Sequence, residues 1–91
     1  MAQDLNKFSL GQVMITPNAL EQLDPRDIQT ALQRHHAGDW GEVCEDDRKE
    51  NEYSLQRGLR LLSVYRSSGQ KFWIITEADR SATTILLPED Y

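Results

Sequence analysis

Glu77, Asp79 and Arg80 fall within one short charged stretch, "EADR", set between two apolar runs. Two carboxylates beside a guanidinium are groups that acid–base catalysis or a metal site would use. Such work needs companions, and the sequence has no Gly-rich phosphate loop, HExxH pair or Ser/His/Asp order to supply them. The flanking runs are strand-like, so the tetrapeptide reads first as a hairpin turn in which Asp79 bonds the local backbone, and only second as a contact.

The remaining reactive side chains are weaker candidates. His35 and His36 are sequence neighbours, and on a helix they project about 100° apart, so they do not share one ion. The expectation is one histidine at the inner edge of a helix and the other in solvent, with no metal. Cys44, the lone cysteine, has no disulfide partner within the chain, and the acids of "EVCEDD" disfavour the thiolate a nucleophile needs. It is expected to be a buried packing residue, and no catalytic residue and no cofactor are predicted.

Charge is the most distinctive property. The net charge is −5, and residues 39–52 carry seven acids against two bases, which equals the whole surplus. Clustered Lys and Arg are what phosphate contacts require, so direct nucleic-acid binding is disfavoured. Glu42, Glu45, Asp46, Asp47, Glu50 and Glu52 instead form an acidic segment in which Glu42, Glu45/Asp46 and Glu50 share one helical stripe, broken on one side by Lys49, and it reads either as a solvated face or as a docking surface for a protein with a basic surface. Trp40 and the Glu77/Asp79/Arg80 tip are secondary contacts in the docking reading. Arg57, Arg60, Arg66, Lys71 and Arg80 keep a second class open, a small toxin-like ribonuclease using Arg60, Arg66, Arg80 and a histidine.

The elements that position these groups follow from cap signals and periodicity. Phe8 to Ile15 reads as a strand with a weak point at Gly11. Thr16-Pro17 and Asp24-Pro25 each give a cap followed by proline at the first helical position. The first starts a short helix with Ala19, Leu20 and Leu23 on one face; the second starts a helix over 25–37 with Ile28, Ala31, Leu32 and His35 facing inward. Trp40 is expected to tuck back against that helix. Residues 43–56 form a third helix with a sparse apolar face, Cys44, Asn51 and Leu55, capped by Gly58.

Residues 59–66, 71–76 and 82–88 read as a three-stranded antiparallel meander. The middle strand is apolar on both faces, Phe72/Ile74 and Trp73/Ile75, which predicts cover on both sides and leaves room for a homodimer contact on the second. With 91 residues, 38% of them hydrophobic and 27% charged, the chain fits a single α+β domain over 1–91: an N-terminal strand and two to three helices packed on the meander. It lacks an apolar stretch of the roughly 20 residues that a membrane span needs, and its start is not signal-like, so the expected location is the cytoplasm.

Two stretches, "GDWGEVCEDDRKENEYSL" and "GLRLLSVYRSSGQKFWIITEADRSATTILLPEDY", resemble a group of small, largely uncharacterised bacterial proteins carried on plasmids, phages and integrated elements. The likeness covers about residues 30–91. It implies a mobile-element setting, in which small acidic proteins inhibit host defence nucleases in the manner of antirestriction and anti-CRISPR proteins. A transcriptional or antitoxin-like accessory subunit is a third option.

Overall fold

Two cap-and-proline pairs organise the first half of the chain. Thr16 and Asp24 sit in extended backbone just before a proline, and each side chain accepts a backbone N–H from the helix that follows. In the computed structural model, which describes residues 6–91, they start α1 (Pro17–Gln22) and α2 (Pro25–His36). A third helix, α3 (Glu45–Arg57), carries Glu45, Asp46 and Asp47 in its first turn, where the helix dipole favours negative charge. It ends at Gly58, whose left-handed φ of 68° lets the following N–H groups turn back to the Ser54 carbonyl.

The strands are β1 (Gln12–Ile15), β2 (Leu61–Ser67), β3 (Gln70–Thr76) and β4 (Ala82–Leu86). Ser68 and Gly69 join β2 to β3 with φ of 50° and 82°, the two left-handed residues of a type I′ hairpin turn. The sheet order is β1-β4-β3-β2, with β1 parallel to β4 and the other pairs antiparallel. The predicted meander is therefore one part of a four-stranded mixed sheet. The N-terminal strand adds to its far side, after a connection through all three helices.

This strand is shorter than its apolar pattern suggested. Gly11 has a φ of 64°, and a Cβ there would lie 2.3 Å from the Ser81 carbonyl group, so the backbone turns at Gly11 and pairing starts at Gln12. Phe8 leaves the sheet and stacks on Trp40, 6.1 Å between ring centres.

α1 and α2 pack on one face of the sheet. Ala19, Leu23 and Ala31 meet Tyr65, Phe72, Ile74 and Ile85, with Ile15, Ile28 and Leu32 at the margin. Ile75 and Leu86 are nearly enclosed on the opposite face, where Trp73 packs edge-on against Tyr91. Two expected core residues are outside. Leu20 is 61% exposed, because a six-residue helix buries only the stripe of Ala19 and Leu23. Cys44 is exposed because the helix begins one residue after it, leaving Cys44 at the cap and off the inward face.

α3 runs beside β2 and seals that edge of the sheet. Asn51, buried on the helix, donates to the Leu62 carbonyl (2.7 Å) and accepts from the Leu62 N–H (3.1 Å). Two residues along, Val64 N–H donates to the Trp40 carbonyl and the Val64 carbonyl accepts from Glu42 N–H, at 3.1 and 2.7 Å. Gly41 makes this approach possible, since a Cβ there would lie 2.0 Å from the Val64 carbonyl oxygen.

Candidate docking surface

The acids of residues 42–52 divide by what they already hold. Glu42 precedes α3 and pairs with Arg66 across the β2 edge at 2.9 Å. Glu45 takes both guanidinium arms of Arg48, at 3.1 and 2.5 Å, and this bond holds its carboxyl below the usual carboxylate range. Glu52 accepts the indole N–H of Trp40 at 2.7 Å. Asp46, Asp47 and Glu50 are exposed and, among the described residues, make no ion pair. These three are the acids of the segment that stay exposed without an ion pair.

Asp47 and Glu50 line a surface cleft of about 260 Å³ together with Asn51, Leu62, Arg60 and Tyr91. The Arg60 guanidinium lies over the Tyr91 ring at 5.4 Å, so part of the lining is a cation stacked on an aromatic face. α3 is fixed relative to the sheet by Asn51 and Glu52, so the carboxylates are held on a rigid element.

Trp40 does not belong to this surface. Its side chain is 3% exposed, enclosed by Phe8, by His35 in an edge-on contact at 5.7 Å, and by the bond to Glu52. It tucks against α2 as expected, and for that reason it is a joint between α2 and α3, with no face left for a partner.

The Glu77/Asp79/Arg80 tip is a structured turn. Asp79 accepts the Ser81 N–H at 3.0 Å, and this bonding at Ser81 lowers its carboxyl pKa. Arg80 has a φ of 61° and folds back over the turn. Its guanidinium donates to the carbonyls of Leu59 (2.6 Å), Glu77 (3.0 Å) and Ser54 (3.2 Å). Arg80 thus binds the end of α3 to the β3–β4 turn, while Glu77 and Asp79 stay exposed. With 13 residues at about 1.5 Å each, the two ends of α3 lie about 18 Å apart. The tip and the acids of the first turn are therefore separate patches.

A site-like constellation also lies inside the molecule. His35 is fully buried, with Nδ1 2.6 Å from the Ser63 hydroxyl and Nε2 2.8 Å from the Thr76 hydroxyl. Thr76 meets Thr83 at 2.8 Å, and Thr83 donates to the Leu10 carbonyl at 2.7 Å. That carbonyl only accepts, so the chain has one direction: Thr83 to Leu10, Thr76 to Thr83, His35 Nε2–H to Thr76, and Ser63 to Nδ1. The imidazole is neutral in this arrangement, and burial pushes its pKa down to about 3. Ser63 and His35 are both sealed from solvent, so the pair meets no substrate and acts as a satisfied core network. His36, by contrast, is half-buried and edge-on to Phe8.

Reading by sequence missed this network, although Ser63, Thr76 and Thr83 share the strand face of Tyr65, Ile74 and Ile85, and that parity was the available signal. It also missed Asp90, which accepts from Thr16 (2.6 Å), Asn18 (2.8 Å) and the Leu87 N–H (3.1 Å), fastening the final 3₁₀ turn (Pro88–Asp90) to the start of α1. Among the described residues no group of three His, Cys, Asp or Glu is placed to hold a metal ion, and no helix is long and apolar enough to cross a membrane. A scan of protein-family profiles finds no match to the chain, and searches of curated proteins and of solved structures find none either.

Proposed function

We propose that the chain is a non-enzymatic, cytoplasmic interaction protein that docks the first two turns of α3 on a basic surface of another protein. The observation that carries this reading is the set Asp46, Asp47 and Glu50: three exposed carboxylates on a helix clamped to the sheet, none held by an internal cation. A rigid array of one charge sign raises the rate of encounter with a basic patch and loses little entropy on binding. Arg60 and Tyr91 at the rim give an arriving chain a second anchor of stacking and hydrogen bonding. Together with the mobile-element resemblance, this favours an inhibitor of a host defence or nucleic-acid-handling complex, whose basic groove an acidic helix can occupy.

The ribonuclease alternative draws less support. Arg66 is held by Glu42, Arg80 by backbone carbonyls, and His35 is closed off from solvent. The test is affinity co-purification from a bacterial lysate at two salt concentrations, run beside the triple variant Asp46→Asn, Asp47→Asn, Glu50→Gln. A basic protein retained by the native chain, lost by the variant and weakened by salt is the expected result. Equal retention by the variant, with its circular dichroism unchanged, rejects the docking surface. Growth inhibition on expression that is abolished by Arg60→Ala moves the reading to the enzyme.

A further inference from the structure

Among the described residues the sheet has one sealed edge and one open edge. β1 bonds to β4 through its even-numbered residues: Gln12 N–H reaches the Ser81 carbonyl and Thr16 N–H the Ile85 carbonyl, both at 3.0 Å. The amides and carbonyls of Val13 and Ile15 therefore point away from the sheet, and among the described residues no other strand lies beyond β1. Val13 and Met14 are 44% and 42% exposed, one on each face.

Natural sheets protect such an edge with charges, proline or a covering segment. Here residues 8–20 carry no charged side chain, the longest uncharged run in a chain that is 27% charged. Depletion of charge is the composition of an interface core, and it lets two molecules of net charge −5 approach here while their acids repel elsewhere.

We propose that β1 pairs with β1 of a second copy, antiparallel about a two-fold axis at Met14, to make one continuous eight-stranded sheet. The occupant is a second copy because "QVMIT" is palindromic in character: polar, three apolar, polar. About Met14, Val13 meets Ile15 of the second copy as a hydrogen-bonded pair, Gln12 meets Thr16, and the two Met14 side chains meet in a close, non-hydrogen-bonded pair. Every side chain thereby faces its own kind, as a two-fold interface requires. The contact is short and belongs to the weak class below about 1,200 Å² of total buried area, with reversible assembly. β2 and α3 lie at the other edge, about 14 Å away by strand spacing, so the dimer leaves the acidic face open and holds whether or not that face docks a partner.

Sedimentation equilibrium over a concentration series up to about 1 mM tests it. The expected result is an apparent mass that climbs from one copy toward two. A single-copy mass throughout overturns the proposal. Met14→Lys places two like charges on the axis and is expected to weaken association more than tenfold; an equimolar mixture with Met14→Glu is expected to restore it. A dimer indifferent to Met14→Lys, or a mixture that stays monomeric, overturns the two-fold register. Met14→Cys in a Cys44→Ser background supplies a covalent readout, because close antiparallel pairs have Cα atoms about 4.5 Å apart, within disulfide reach. Oxidation is expected to give a linked dimer, and its absence at concentrations where the native chain associates rejects the register.

Discussion

The two edges of the sheet are built on opposite rules. At β2, every outward backbone group of Leu62 and Val64 is taken, by the Asn51 side chain and by the strand-like Trp40–Glu42 segment. At β1, the outward groups of Val13 and Ile15 meet nothing within the described sheet. The sealed side is surrounded by charge and held by Gly41, Asn51 and the buried Trp40, whereas the open side is uncharged and leaves Val13 and Met14 exposed. Edge protection is thus local and demands specific residues, and among the described residues it is found on the side where α3 displays its acids.

Acid titration probes whether the sealed side depends on the middle of the sheet, where His35 packs edge-on against Trp40. Unfolded, the imidazole binds a proton below about pH 6.5; folded, it does so only near 3, chiefly because it is buried and further because of the positive charges of His36 and Arg80. The unfolded chain holds more protons between those values, so stability falls as pH drops through that window, by up to about 1.4 kcal/mol per pH unit and about 4 kcal/mol in all. Urea titrations from pH 7 to 4 measure this, and His35→Gln is expected to flatten the slope while lowering stability at pH 7.

Next, Gly41→Ala is expected to cost about 3 kcal/mol, since the new Cβ collides with the Val64 carbonyl at a φ of 74°. Asn51→Leu keeps the volume but strands the Leu62 N–H and carbonyl, a loss of about 2 kcal/mol in the same assay. Equal tolerance of both substitutions would mean that the β2 edge is not sealed in solution. Asp90→Ala removes the acceptor of Thr16 and Asn18, with an expected cost of about 1 kcal/mol. The open edge is the most tolerant: Val13→Thr is expected to leave monomer stability within about 0.5 kcal/mol, because the side chain is already 44% exposed.

Local chemistry made much of the fold legible. Thr16-Pro17, Asp24-Pro25 and Gly58 announce their helix ends because a cap acts within four residues, and the β2–β4 hairpins follow from alternation and turn residues. The partner of β1 was not legible, because a parallel pair joined across 70 residues leaves no local mark, and only Gly11's approach to Ser81 shortens the strand. Cys44 shows how a helix start displaced by one residue turns an inward position into a cap. In the candidate site, the acids were countable from the sequence. Which of them are already engaged was not, since Glu42 meets Arg66 and Glu52 meets Trp40 only after the chain folds.

The parallel pairing of Gln12–Ile15 with Ala82–Ile85 also sets an order of events during synthesis. A strand made early must wait until nearly all of the sheet has been translated before its hydrogen bonds can form, whereas the β2–β3 hairpin closes as soon as its own turn is complete. Gln12–Ile15 therefore stays unpaired for longer than the strands of the β2–β3 hairpin, with both of its edges open meanwhile. A mutation that delays β4 is thus expected to reduce yield through aggregation well before it alters the stability of the finished molecule.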